Sequence, residues 1–112
     1  TERKKAGLTE LTWDDTVATA AMTRSKEIEK SFSHTRPDGR NFGTAITDLG
    51  ITYRGAGENI AWGQKTPEAV MNAWMNSEGH RANILNPNFK KLGVGYRTDS
   101  QRTPYWTQLF TY

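Results

Sequence analysis

"AVMNAWMNSEGHRANILNPNFKKLGVGY", residues 69–96, is the stretch that decides the fold class, because three kinds of backbone signal follow one another in it. Val70, Ala73 and Trp74, with Met71 beside them, recur at helical spacing. Thr66-Pro67-Glu68 just upstream supplies an N-cap, a proline at the first helical position and an acidic first turn. The spacing predicts a helix that ends near Ser77. Gly79–Leu85 predicts a further short helix, stopped at Asn86-Pro87 because the residue before a proline is pushed out of the α region. Beyond it, "KLGVGYRTD" (91–99) and "YWTQLFTY" (105–112) alternate and are rich in aromatic and β-branched residues, which predicts strands pairing antiparallel across the loop 100–104.

Working upstream, "LTWDDTVATAAMTRSKEIEKS" (11–31) predicts a helix over Trp13–Lys30, with Thr12 as N-cap and Asp15 three residues on in a capping-box arrangement. Trp13, Val17, Ala20, Ala21, Arg24 and Ile28 form its periodic stripe. "TERKKAGL" (1–8) reads as the last turns of a truncated helix, with Gly7 as the stop. "SFSHTRPDGRN" (31–41) is loop, since Pro37-Asp38-Gly39 is turn chemistry, and a short helix is expected over Phe42–Leu49 before Gly50. "ITYRGAGENIAWG" (51–63) reads as an irregular strand interrupted by Gly55 and Gly57. Helices come first and strands mostly last, which favours an α+β architecture, an antiparallel sheet covered by helices.

Length and composition bound the function. A chain of 112 residues is read as one domain, 1–112, with a core that hides roughly 60–65% of the unfolded surface. Lys and Arg total 15 against 12 acids, a net charge of +3, but they are scattered and form no dense basic stripe, so no nucleic-acid partner is expected. Cysteine is absent, which excludes a disulfide framework, a thiolate metal site and a thiol nucleophile. No apolar run approaches the ~18 residues of a membrane span. A monomer is expected. Trp62, Trp74, Tyr96, Trp106 and Phe110 are read as core rather than as a sugar platform.

With no thiol, the candidate chemistry rests on His34, His80 and the carboxylates. His34 lies on the loop before the Pro-Asp-Gly turn, where functional side chains are often presented, although a lone histidine more commonly bonds a backbone carbonyl. Glu58 and Asn59 stand between a glycine and an apolar run, and an acid there must reach solvent or meet a partner. If Ser77 is the N-cap, Glu78 is a first-turn anion able to pair with Arg81, and His80 is the third helical residue. A helix start disfavours imidazolium, so His80 is expected to be neutral, the form that binds a metal or accepts a proton. The separation of His34, Glu58 and His80 matches no short metal-ligand motif, and G-x-S-x-G is absent.

Together, "LTWDDTVATAA", "FSHTRPDG", "GENIAWG", residues 69–96 and "YWTQLF" resemble the bacterial branch of the CAP superfamily, the SCP-like domains related to cysteine-rich secretory proteins, antigen 5 and pathogenesis-related proteins. The resemblance implies an α-β-α sandwich with a three- or four-stranded antiparallel sheet, in an extracellular or cell-wall-associated protein. It implies a cavity of two histidines and two acids, sometimes around a divalent metal such as zinc. Carried over, the loop histidine is His34 and the acid of G-E-N is Glu58. The second acid is Glu78 or is missing, because the family's offset from Trp74 lands on Ser77. The second histidine of eukaryotic members corresponds here to Tyr105, and His80 is expected to enter the same cavity from another side.

On this basis His34, Glu58 and His80 form the expected cluster, with His34 and His80 as metal ligands or proton acceptors. Asn59, Ser77, Glu78, Tyr105 and Gln108 are the expected polar lining. Ligand binding is favoured, to a cell-wall polymer, a lipid or a small ligand. The alternatives are a metal-dependent or acid/base hydrolase of peptides or wall polymers, a lipid or sterol carrier, and a non-catalytic interaction module.

Overall fold

The computed structural model describes residues 1–112. The elements are α1 (Glu2–Lys5), β1 (Thr12–Trp13), α2 (Asp15–Lys30), α3 (Thr44–Thr47), β2 (Ala56–Trp62), α4 (Pro67–Met75), α5 (Glu78–Ile84), β3 (Lys91–Thr98) and β4 (Pro104–Thr111). The sheet has four strands in the order β1-β3-β4-β2, which leaves β2 as one edge.

The sheet is mixed rather than wholly antiparallel. β3 pairs antiparallel with β4 and β4 with β2, but Thr12 and Trp13 run parallel to Lys91 and Leu92. This also corrects the start of the long helix. Thr12 is not its cap: the Thr12 N–H donates to the Lys90 carbonyl at 2.8 Å and the Asp14 N–H to the Leu92 carbonyl at 3.0 Å, so these residues are extended. Asp14 is the N-cap, its carboxylate accepting from the N–H groups of Thr16 and Val17 at 2.9 and 3.0 Å. Two acids stand side by side, and the ladder to β3 selects the first as cap. Asp14→Ala is therefore expected to destabilise the domain by about 1 kcal/mol, whereas Thr12→Ala leaves the helix start intact. Urea denaturation of the two variants checks the assignment.

Strand periodicity sorts the side chains into two layers. Glu58, Leu109 and Gly93 are cross-strand neighbours on the face under α2, and Asn59, Gln108 and Val94 on the opposite face. Leu109 packs with Val17, Ala20, Ala21, Ala45 and Ile46, which fills the space beneath α2 and α3. Across the sheet, Trp106 and Phe110 pack with Val70, Trp74, Ile84 and Phe89 beneath α4 and α5. The result is the α-β-α sandwich that the resemblance implies.

Two of the five aromatic residues read as core lie on the surface: Trp62 is 57% and Tyr96 43% exposed. Trp62 is the last residue of β2, and Tyr96 leans on Trp106 with ring centroids 4.5 Å apart. α3 is two residues shorter at each end than expected, because Phe42–Gly43 and Asp48–Gly50 are taken up by turns.

Candidate functional site

The centre of the site is a buried charge. Glu58 is 3% exposed, and a carboxylate taken from water is tolerated only when paired and hydrogen-bonded. Its partner is Arg24, on the inward stripe of α2 and itself 0% exposed. Arg24 Nε donates to Glu58 Oε2 at 2.6 Å and Nη2 to Oε1 at 3.1 Å, a bidentate fork. The remaining guanidinium donors reach Glu27 Oε1 and the Ser33 carbonyl. Burial acts to lower the pKa of Arg24, but the hydrogen bonds and charges of Glu58 and then Glu27 outweigh it and raise the value, so the guanidinium keeps its charge.

That pair anchors His34. Its Nδ1 lies 2.8 Å from Glu58 Oε1, and because a carboxylate can only accept, Nδ1–H is the donor and Nε2 is left free. The loop is held at the same point: Arg24 bonds the Ser33 carbonyl, and the Phe42 N–H donates to the His34 carbonyl at 3.0 Å. His34 is thus neither a lone surface histidine nor bonded to a carbonyl through its ring.

The next residue of β2 points the other way. Asn59 is 0% exposed, and its amide donates to the His80 carbonyl at 3.1 Å and to Gln108 Oε1 at 3.0 Å, while its own oxygen accepts from Asn83 Nδ2 at 2.9 Å. Consecutive residues of an edge strand therefore fasten the two helical layers, Glu58 through α2 and Asn59 through α5. His34 and His80 come from opposite layers and meet in a groove of about 460 Å³ that runs along the outer edge of β2. Ile60, Trp62 and Gln64 form its floor, Phe32 and His34 one wall, and Trp74, Ser77 and His80 the other. The pKa of His80 is lowered from the ordinary 6.5, first by burial and then by the charge of His34. The expected neutral ring is supported in direction, but its cause is burial rather than the helix start.

The other expected lining residues are not all here. Ser77 lines the groove. Glu78 is exposed on the far side of α5, beside Met75 and Arg81, and makes no ion pair with Arg81, so it does not join the cluster. The Tyr105 hydroxyl donates to Asp99 Oδ2 at 3.3 Å beside the β3–β4 loop, and Tyr105 does not line the groove that holds His80. Gln108 is spent on Asn59 and otherwise borders a separate recess of about 190 Å³, with Met71 and Phe110. Arg24 was missed as a site residue, although a cation on an apolar helical stripe is itself the signal of a buried counter-charge.

The donor set does not fit a resident zinc ion. No three His, Asp or Glu side chains gather where they could hold a metal, and both oxygens of Glu58 are engaged by Arg24 and His34. That leaves two imidazoles, short of the three or four protein ligands of a tetrahedral site.

Comparison with known proteins agrees with this architecture. The profile of the cysteine-rich secretory protein family, CAP, matches residues 1–110. The uncharacterised protein YkwD of Bacillus subtilis is 48% identical over 97% of this chain, which spans 42% of YkwD. The chain thus covers less than half the length of this curated relative. An extracellular protein containing an SCP domain from Bacillus anthracis superposes with a TM-score of 0.89 at 35% identity, over 98% of this chain and 36% of that one. An outer surface protein of Borrelia burgdorferi gives 0.88 at 25% identity, over 98% of this chain and 83% of that one. With the sandwich, the G-E-N strand and the profile in agreement, the chain belongs to the cysteine-rich secretory protein (CAP) family, as a member without a cysteine of its own.

Proposed function

We propose that this domain works outside the cell as a ligand-binding module, its groove taking a small ligand or the end of a cell-wall polymer between His34 and His80. The observation that carries this reading is the free end of His34. A buried Arg24–Glu58 pair fixes Nδ1, yet Nε2 and the ring nitrogens of His80 bond to no other group of the chain and face a groove. A brace for loops alone would have no need to bring the free nitrogens of two imidazoles to one opening. The outside location is supported by the relatives described as extracellular and outer-surface proteins, and no helix is long and apolar enough to cross a membrane.

A second reading, acid/base hydrolysis of a bound peptide or wall polymer, is favoured by the His34–Glu58 bond itself, the arrangement that orients an imidazole to take a proton from water. Turnover of a muropeptide panel that vanishes in His34→Ala would establish it. Binding without turnover leaves the primary reading.

The primary reading is tested by NMR titration of the two imidazoles between pH 5 and 8, alone and with a soluble muropeptide. His80 is expected to titrate below the ordinary 6.5, and His34→Ala is expected to move it upward by removing a like charge. Because the folded pKa is the lower one, the unfolded chain binds more protons. The stabilising contribution of His80 is therefore full above about 6.5 and declines as pH falls toward the folded value. Muropeptide is expected to shift both imidazole signals in wild type and to shift the remaining His80 signal far less in His34→Ala. Unchanged signals at millimolar muropeptide would overturn the reading.

A further inference from the structure

The groove lies along an open strand edge, and that edge has unused main-chain groups. β2 bonds β4 on one side only. The Gly63 N–H donates to the Pro104 carbonyl and the Tyr112 N–H to the Gly55 carbonyl, which fixes the phase: odd-numbered residues of β2 turn their main chain to β4, and Glu58, Ile60 and Trp62 turn theirs outward. The inner part of this edge is closed by side chains. Asn83 Nδ2 donates to the Glu58 carbonyl at 3.2 Å and Trp74 Nε1 to the Ile60 carbonyl at 3.2 Å. Both bonds tie helices down over the edge, the usual defence against unwanted strand pairing.

The outer part is not closed. The N–H groups of Ile60 and Trp62 and the carbonyl of Trp62 have no partner in the chain, and these two residues floor the groove. Beside them Gln64 Oε1 is a buried acceptor with no hydrogen bond, although the Gln64 main chain is fixed by Trp106 Nε1 donating to its carbonyl at 2.8 Å. A buried side-chain oxygen left without a donor is uncommon in a native fold, and a donor entering the groove beside Ile60 and Trp62 would satisfy it. The rings of Phe32 and Trp62, 49% and 57% exposed, frame the opening.

Alternating main-chain donors and acceptor, an orphaned amide oxygen and flanking aromatic rings make a surface that complements one chemistry: a peptide in extended conformation. We infer that the groove's ligand is an extended peptide that adds as a short strand to the outer end of β2, pairing with Ile60 and Trp62 and donating an N–H to Gln64. Successive side chains of the peptide then alternate between the His34 wall and the Ser77–His80 wall, as strand addition requires. This rests on the groove being the ligand site proposed above and names the part of a wall polymer it would hold, the peptide rather than the glycan.

The test passes a library of heptapeptides, acetylated and amidated so that no terminal charge is offered, over the immobilised domain, with N-acetylglucosaminyl-N-acetylmuramic acid as the glycan probe. Retained peptides are expected to lose binding when single N-methyl groups are placed at alternate positions and to keep it at the positions between. Their binding is expected to protect the Ile60 and Trp62 amides from hydrogen exchange by about tenfold or more. Gln64→Ala is expected to weaken binding about fivefold, as loss of one hydrogen bond does, with an unchanged melting temperature because Oε1 bonds nothing in the free chain. Retention that is insensitive to N-methylation at every position would overturn the inference. If the disaccharide moves the His80 signal and no heptapeptide is retained, strand addition falls and the groove stands as the ligand site. If neither probe moves it, both fall.

Discussion

Glu58→Ala is expected to lower the stability of the domain by about 3–5 kcal/mol, a large share of the roughly 5–15 kcal/mol available to a chain of this size. The cost comes from the group left behind. Arg24 is 0% exposed, and without Glu58 two of its donors face a dry interior while its charge keeps only Glu27, at the rim, as counter-ion. Glu58→Gln keeps acceptors but loses the charge, and should fall between wild type and alanine. The double variant Arg24→Met with Glu58→Leu should recover most of the loss, because replacing a whole buried pair by apolar side chains of similar volume is close to neutral. The two readouts then separate. The double variant is stable to urea, yet His34 has lost the acceptor that held Nδ1, so its imidazole no longer responds to a groove ligand. A Glu58→Ala variant within 1 kcal/mol of wild type would mean that water reaches Arg24 and that the pair is not the clamp described.

The same residues show how far the sequence could be read. Helices and the β3–β4 hairpin follow from periodicity, caps and turn residues, because each of those signals is local, whereas the sandwich comes through the family resemblance. The parallel strand at Thr12–Trp13 is two residues long, too short for any period to register, and its existence depends on where β3 lies. Local chemistry pointed to Thr12 as the cap, and a ladder contact about 80 positions away overrode it. At the site, His34, Glu58 and His80 were identified by motif, and their meeting has a simple physical basis: period-two alternation sends Glu58 to one layer and Asn59 to the other. Tyr105 and Glu78 were drawn in by alignment offsets, which carry no information on which face of an element a residue occupies. Arg24 was visible but unread, since a charge on an inward stripe and an acid in an apolar run are each puzzling alone and explain each other once paired.

The second large effect is expected where α2 rests on β3. A Cβ added at Gly95 would overlap the Ala21 carbonyl and the Met22 nitrogen, and one added at Gly93 would overlap Ala18 nitrogen and the Val17 carbonyl carbon. Those obstacles are backbone atoms of a regular helix, which cannot swing aside as a side chain would, so α2 must lift. Overpacking of this kind costs about 1–3 kcal/mol and more where nothing yields, so Gly93→Ala and Gly95→Ala should each reach or pass the upper end of that range. Gly79→Ala is the internal control: the same methyl group enters open space inside α5 at ordinary φ, and it is expected to stabilise by about 0.5–1 kcal/mol. The consequence extends to the site. α2 carries Arg24, and a helix displaced from β3 pulls the guanidinium from Glu58 on β2, so Gly95→Ala should loosen His34 without touching it. Urea midpoints give the stability series, and the His34 imidazole signal reads the transmission. Stability lost in Gly95→Ala with that signal unchanged would show that the clamp tolerates movement of its own helix.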